Sequence, residues 1–357
     1  MRIVCFLAVI LFFSNCSNDP ENFPAAQGMP GEIILVMDSA QWKGPLGRAI
    51  DSIFSTDIAE LPRKESVFRL RWVSPHKFNS ALKLRRNLIF ALSLDKTHEK
   101  SQFVKSVFTA ESIEKIKSAP DDFIKTNDNI YSKGQEVMFL YGVNEKILTQ
   151  KVKAKASGLI SFFNQKERER LTESLFRSGQ LKGVSQALVK DFQCDLKVPF
   201  GYQLADKQAD FVWVRQINPK DDKNVFIARK PYTSQKDFSK ENLIRFRDEV
   251  CRKYLFEDPA KPDTYILTEL NVPFLPVTVD TTKLGNNFAI QVRGIWRSNT
   301  MGMGGPFEGF ALVDEGTQQF YYIEGFVFSP GRSQRELMRE LETILYTFRT
   351  SKDLLQK

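Results

Sequence analysis

Strand-like runs in direct succession constrain the second half of this chain more than any other feature. Between residues 194 and 329, apolar runs of strand length follow one another, and one helical pattern over 239–256 interrupts them. Strands that follow one another without alternating helices usually pair as antiparallel neighbours. A final helical pattern carries apolar residues from Leu337 to Phe348, and Ser333 with Glu336 fits a capping box. We therefore predict an antiparallel α+β domain with a terminal helix over residues 181–350.

The first half has a similar mixture of elements. The run 31–38 reads as a buried strand, apolar positions at helical spacing predict a helix from Pro45, and further strand-like runs cover 66–73, 87–94, 103–108 and 136–142. One long helical pattern extends from 143 to 177 and ends at Ser178-Gly179. The fold class that follows is α+β, with two mixed domains, 31–180 and 181–350, whose sheets are largely antiparallel, flanked by helices and joined by the long helix.

The amino terminus resembles a lipoprotein signal peptide. Arg2 precedes eleven apolar residues, 3–13, and then Ser14, Asn15 and Cys16. Eleven helical residues rise about 16 Å, half the thickness of a hydrocarbon core, so they cannot span a bilayer. Residues 1–15 are therefore predicted to be a signal peptide, and Cys16 resembles the lipid-modified cysteine of a bacterial lipobox, with Phe13 and Asn15 departing from its usual residues. An ordinary cleaved signal with an incidental cysteine is the alternative.

The stretch after Cys16 fits a tether. Residues 16–30 are polar, contain proline and show no periodicity, so they are predicted to link the anchor flexibly to a folded body. Two acyl chains on the cysteine would give stable membrane attachment.

The positive charge of the chain bears on its partners. The formal net charge is +8, of which Arg2 would leave with the signal peptide. Export removes nucleic acid as a partner, and the basic runs at 83–86, 151–155 and 166–170 are interleaved with apolar or acidic residues. Attraction of the positive charge to anionic lipid headgroups or to acidic envelope polysaccharide remains as a minor functional interpretation.

Few residues suit metal or nucleophilic chemistry. His76 and His98 are the only histidines, and no zinc-type cysteine cluster occurs, so we expect no metal and no cofactor. Cys194 and Cys251 either form one disulfide or remain buried free thiols, and the sequence leaves both open.

Several short motifs carry a resemblance over nearly the whole chain. Cys16 is followed in order by VMDSAQWKGPLG (36–47), VPFGY (198–202), FVWVR (211–215), FRDEVCRKY (246–254), VRGIW (292–296), MGGPF (303–307) and EGFVFSPG (324–331). This series is similar to predicted lipoproteins of the Bacteroidetes lineage that are grouped as a domain of unknown function. The resemblance implies a cell-envelope location and no catalytic residues, and residues 111–129 depart from it by being longer and more polar. The second half is also loosely similar to antiparallel domains of the photosystem-associated and Ran-binding Mog type.

The segment GMGGPF (302–307) is the most unusual local motif. Its glycines fit a hairpin connection that permits close backbone approach, while Met301 and Met303 with Trp296 form a candidate ligand or partner surface. Trp42 and Phe307 are further candidates for exposed aromatic contacts.

Two sets of charged residues have predicted partners. Glu324 lies in an aromatic-rich strand and needs a partner if it faces inward, for which Arg293 or Arg297 is the expected arginine. Asp248 and Glu249 are expected to form surface ion pairs with Arg245, Arg247 and Arg252.

These observations favour a lipid-anchored protein of the cell envelope, with palmitate-type acylation at Cys16 and an outer-membrane location of undetermined face. Without a catalytic constellation, the chain is predicted to be a non-enzymatic binding or assembly module for an envelope protein or glycan. The alternative is a hydrolase of an envelope polymer that uses carboxylates in a cleft between the domains. A purely structural spacer is the third reading.

Overall fold

The computed structural model describes residues 23–96, 99–106, 108–118, 121–258, 260–273 and 275–355. Their contacts group the chain into two compact units, one of residues up to 46 with 71–151, and one of 47–70 with residues from 152 onward. Each unit is described by itself below. In the part of the chain that the structure describes, no helix is long and apolar enough to cross a membrane.

The sheet of the first unit has five strands in the order β2-β1-β3-β5-β4. β1, β3 and β5 are parallel to one another, and β4 is antiparallel to β5. Every residue of β3 is buried, as expected for a central parallel strand that is covered on both faces. The strands are β1 (Glu32–Val36), β2 (Arg69–Val73), β3 (Asn87–Ser93), β4 (Ile124–Asp128) and β5 (Glu136–Gly142).

Short helices connect these strands. They are α1 (Ser39–Lys43), α2 (Pro45–Phe54), α3 (Ser80–Lys83), α4 (Glu99–Lys105), α5 (Ala110–Ser118) and α6 (Glu145–Ala154), with a 3₁₀ turn at Pro75–Lys77. The long helix α7 (Ala156–Phe176) and most of α2 group with the second unit, where Phe54, Phe68 and Phe163 pack edge to face.

The second unit is built on one eight-stranded antiparallel sheet in the order β10-β11-β12-β13-β8-β7-β6, with β9 pairing the far end of β11. Its strands are β6 (Gln203–Lys207), β7 (Phe211–Asn218), β8 (Asp221–Pro231), β9 (Ile266–Thr268), β10 (Thr278–Leu284), β11 (Asn287–Ser298), β12 (Gly304–Asp314) and β13 (Gln319–Phe328).

Helices cover both faces of this sheet. α8 (Lys182–Phe192) and α10 (Arg335–Leu345) pack on one face, and α9 (Lys240–Tyr254) packs on the other, while α11 (Ser351–Leu355) follows α10. Cys194 lies in the core between the sheet and helices α8 and α10, and Cys251 lies in the core between the sheet and α9. Both thiols are buried and free. The α+β fold class is confirmed, and the first sheet is mixed because its three central strands are parallel.

Four local predictions differ from the structure. Residues 103–105 end helix α4 and are not a strand, because Phe103 and Val104 are an apolar pair that suits a helix equally well. The helical pattern 143–177 is interrupted at Lys155, where α6 ends and α7 begins. The contacts therefore place the long helix with the second unit, whereas the predicted boundary lay near residue 180.

The predicted tether is also shorter than 16–30. Residues 24–27 hydrogen-bond through their backbone to the first unit: the carbonyl of Pro24 accepts from Lys133 N, and Gln27 N donates to the carbonyl of Leu84. A polar stretch without periodicity can still form backbone hydrogen bonds with neighbouring loops, and composition alone does not reveal them.

The predicted capping box of the terminal helix is wrong. The side chain of Ser333 does not cap α10; instead the carboxylate of Glu65 accepts from Gln334 N at 2.6 Å and from Arg335 N at 3.1 Å. A carboxylate 269 residues away in sequence thus satisfies the first amides of the helix.

Candidate functional site

The residues predicted to form a ligand surface do not form one. Trp296, Phe307 and Glu324 are buried in the core beneath α9, and Trp296 and Phe307 are each only 1% exposed. Arg293 shares the opposite face of β11 with Ala289 and Gln291, because strand side chains alternate. The predicted surface is therefore wrong as a site, because alternation and burial separate its members.

Trp296 has a structural role that explains Gly305 in the GMGGPF segment. Its indole Nε1 donates to the carbonyl of Val327 at 3.1 Å, reaching across β12 to β13. A Cβ on Gly305 would lie 2.0 Å from that same carbonyl oxygen, so only glycine fits beneath the indole.

Of the two methionines, only Met301 is well exposed. Met301 is 71% exposed and has φ 64°, in the turn between β11 and β12. Met303 is half-buried against the core that contains Trp296. Trp42, in the first unit, is half-buried and stacks on Trp72 with ring centroids 5.8 Å apart. His76 is exposed, and Cys16 and His98 lie outside the described residues.

Glu324 is paired, but with an arginine that the sequence did not indicate. Arg247 on α9 donates from Nε and Nη2 to the two carboxylate oxygens at 2.7 and 2.8 Å, and both side chains are fully buried. The predicted partners, Arg293 and Arg297, bind Glu308 and Glu269 instead. The prediction that Arg247 takes part in a surface ion pair is wrong, because its side chain is fully buried and pairs with Glu324.

This ion pair is embedded in a satisfied network. Tyr322 donates its hydroxyl to Glu324 at 2.7 Å, Arg247 also donates to Thr268, and the guanidinium lies 4.0 Å from the ring centre of Phe307. Burial raises the pKa of Glu324, and Arg247 opposes that rise. These hydrogen bonds satisfy both buried charges, so the network joins α9 to the sheet inside the core.

A second charged cluster lies on the other face of the sheet. Gln291 donates to Glu308 at 2.5 Å, and Arg293 lies 3.3 Å from the same oxygen. Burial raises the pKa of Glu308 to about 7, with Arg293 lowering it and Glu342 raising it. Glu342 in turn lies 3.9 Å from Arg168. Each carboxylate here therefore has an arginine partner.

A concave site does exist at one end of this sheet, and we call it the hairpin-end pocket. Its volume is about 570 Å³, within the range of small-molecule sites. The turns of the β10–β11 and β12–β13 hairpins and the end of β8 meet there, because Leu284 pairs with Asn287, Asp314 with Gln319, and Gln319 with Pro231.

Aromatic rings form one wall of the hairpin-end pocket. Phe238, on the 3₁₀ turn Gln235–Phe238, packs against Tyr232, Phe288 and Phe320 at centroid distances of 6.2, 6.3 and 5.5 Å. Phe288 is 59% exposed, which is a large apolar exposure for a ring at the tip of a hairpin.

Polar side chains form the rest of the wall. The amides of Gln235, Asn286, Asn287 and Gln318 line the pocket, with Glu315 and Lys352, whose charged groups are 3.8 Å apart. Asp314 is held by the backbone amides of Gly316 and Ser351, each at 2.9 Å. Asn287 donates to Asp353 at 2.8 Å, and Thr350 binds the same oxygen, which lowers the pKa of Asp353 and fixes the pocket floor.

One part of this pocket has a local sequence signal, since Asp314-Glu315-Gly316-Thr317 is typical of a hairpin turn. Its convergence with residues 232–238 and 350–352 depends on strand register, which the sequence does not specify. Within the described residues, no group of three or more His, Cys, Asp or Glu side chains could hold a metal ion.

Comparisons with known proteins match the two halves separately. A domain of unknown function, DUF8532, matches residues 26–176, and a second, DUF4837, matches residues 182–347. The first match ends at residue 176 and the second begins at residue 182, whereas the two compact units divide the chain at residues 46/47, 70/71 and 151/152. No curated protein matches the chain.

Solved structures show only distant likenesses. A mutant of the protein Mog1 is 8% identical with a TM-score of 0.29, over 46% of this chain and 94% of its own. The Ran-binding protein Mog1p of Saccharomyces cerevisiae is 8% identical with a TM-score of 0.29, over 44% and 90%. LpqN, involved in cell envelope biogenesis of Mycobacterium tuberculosis, is 14% identical with a TM-score of 0.28, over 44% and 82%.

Proposed function

We propose that this chain is a lipid-anchored protein of a bacterial cell envelope that binds a glycan of the envelope in the hairpin-end pocket and carries out no chemical step. Support for anchoring comes from the sequence around Cys16 and from the resemblance of the motifs to predicted Bacteroidetes lipoproteins, which implies a cell-envelope location; an outer-membrane position is part of the proposal. The pocket is the single structural observation that supports a binding role.

The chemistry of the pocket favours a neutral sugar over an ionic ligand. Amide side chains each offer both donors and acceptors, which suits the hydroxyl groups of a sugar. The exposed face of Phe288 provides apolar area for a ring, and Glu315 and Lys352 balance one another's charge. Asp314 has both carboxylate oxygens engaged by backbone amides, so it is poorly placed to act as a general acid or base.

Anchoring is tested by replacing the cysteine. Cys16→Ala should move the protein from the membrane fraction to the soluble fraction, and metabolic labelling with palmitate should label the unchanged chain and Cys194→Ala but not Cys16→Ala. Cys194→Ala is the matched control, because that thiol is buried and should carry no lipid. Unchanged membrane fractionation of Cys16→Ala would refute the lipid assignment.

Binding is tested with insoluble peptidoglycan as the probe. Co-sedimentation should fall at least about fivefold in Phe288→Ala, since one well-placed aromatic contact contributes about 1 kcal/mol or more. Phe200→Ala is the control, because Phe200 is also exposed but does not line the pocket. Equal sedimentation of both variants and the unchanged chain would contradict the pocket assignment.

A hydrolase acting on an envelope polymer is the second candidate. The raised pKa of the buried Glu308, with Glu342 nearby, is the observation that favours it, since a general acid needs a pKa near the working pH. Release of soluble fragments from peptidoglycan that is lost in Glu308→Gln would support this candidate over binding alone.

A further inference from the structure

We propose that the edge of the first unit at the amino ends of β1, β3 and β5 lies against the membrane and contacts anionic lipid headgroups. We call this surface the basic edge, and it comprises Lys83, Arg85, Arg86 and Lys133. The inference rests on the proposed anchoring at Cys16, and its test below separates the two claims.

The length of the chain outside the structure is the first argument. Residues 24–27 are fastened to the basic edge: Ala26 N donates to the carbonyl of Lys133, and Arg86 N donates to the carbonyl of Gln27. Only residues 17–22 therefore separate the anchoring cysteine from Phe23, where the described chain starts. Seven Cα–Cα steps span at most about 25 Å, half the reach of the fifteen-residue tether that composition suggests.

A tether this short determines which surface meets the bilayer. The point of attachment lies within the basic edge, and lipid at Cys16 keeps Phe23 within about 25 Å of the headgroups. A tether this short lets the edge come within the Debye length of about 8 Å, the range in which attraction to anionic lipid is effective.

The charges of the edge fit that partner. Lys83 and Lys133 have exposed side chains, and the side chain of Gln135 ties their two loops together by donating to the carbonyls of Lys83 and Arg85. Glu32 is the acidic group beside them, and it is ion-paired with Arg85 and Arg71.

Two further acidic residues, Asp128 and Glu136, end β4 and begin β5 opposite each other at the same edge. Glu136 is buried, so Asp128 is the acid that competes at the surface. The four basic side chains of the edge outnumber these three acidic residues. Met29, which is 55% exposed beside the attachment point, adds an apolar side chain that can enter the interface.

Vesicle binding without lipid tests the surface independently of Cys16. The chain from residue 16 onward carrying Cys16→Ser should sediment with vesicles of 30% phosphatidylglycerol in phosphatidylcholine at low salt. It should not sediment with pure phosphatidylcholine or at 0.5 M salt. Lys83→Glu/Lys133→Glu should weaken sedimentation at least about 30-fold, from the loss of two lysine contacts.

Lys190→Glu/Lys220→Glu is the matched control, with the same change of charge at exposed lysines of the second unit. Equal weakening in the two double variants, or no binding to anionic vesicles, would overturn the proposal. Thermal unfolding of each variant identifies any loss of binding that arises from misfolding.

The anchored protein supplies the second measurement. In membranes that hold the unchanged chain, Lys83 and Lys133 should react with an amine acylating reagent at least about fivefold more slowly than Lys190 and Lys220, and detergent should abolish the difference. Equal reactivity before and after detergent would refute the orientation. If Cys16→Ala remains on the membrane while the vesicle result holds, the lipid assignment fails and the basic edge stands.

Discussion

Removing one partner of the buried pair between Arg247 and Glu324 should destabilise the second unit strongly. The two hydrogen bonds of 2.7 and 2.8 Å join side chains with no solvent exposure, so Glu324→Gln or Arg247→Met leaves a buried charge without compensation. The expected loss is about 3 to 5 kcal/mol for each variant. For a unit of this size, that loss lowers Tm by roughly 6 to 20 °C.

Urea unfolding followed by tryptophan fluorescence measures these losses, because Trp296 packs in the same core. The double variant Arg247→Met/Glu324→Gln should lose about 1 to 3 kcal/mol less than the sum of the single losses, since it removes both charges. Arg245→Met is the control, because Arg245 is exposed on the same helix, and it should change stability by less than about 0.5 kcal/mol.

A loss of less than about 1 kcal/mol in each single variant would refute a strongly coupled buried pair, because losses that small are typical of surface ion pairs. Strictly additive losses in the double variant would also refute it, since uncoupled residues cannot form the observed pair.

Three further variants test other parts of the second unit. Gly305→Ala should cost about 3 kcal/mol or more in urea unfolding, because its Cβ would meet the carbonyl of Val327 at 2.0 Å, while Gly158→Ala in open space should cost nothing; equal effects would contradict the close approach. Burial raises the pKa of Glu308 from 4.5 to about 7, so the folded state holds this proton more tightly and the free energy of unfolding should fall as pH rises between those values. Glu308→Gln should make the free energy of unfolding less dependent on pH in this range, and an unchanged pH dependence would contradict the assignment to Glu308. Glu65→Ala should cost about 1 to 2 kcal/mol by uncapping α10, and a comparable loss in Ser333→Ala would instead support a capping box.

Elements with long periodic patterns could be predicted from the sequence. Helices α9 and α10 lie where their apolar stripes placed them, and the uniformly apolar runs of β3 and β5 are central buried strands. The run at 103–108 failed because six residues are too few to separate a period of two from one of 3.6.

The partners of buried charges could not be predicted in the same way. Arg293 lies on β11, which is separated by β12 from the strand of Glu324, but its side chain emerges on the other face of the sheet. Arg247 is 77 residues away on a helix whose sequence is densely charged, so nothing local distinguishes it from its exposed neighbours. The hairpin-end pocket could not be predicted for a related reason, since four segments that are distant in sequence form it.

Glycan binding is best tested by hydrogen–deuterium exchange of the full chain, with and without saturating soluble peptidoglycan fragments. We expect slower exchange confined to residues 232–238, 286–288, 315–318 and 350–352, the segments that form the hairpin-end pocket. Protection elsewhere in the chain, or no protection at any concentration of fragments, would contradict it.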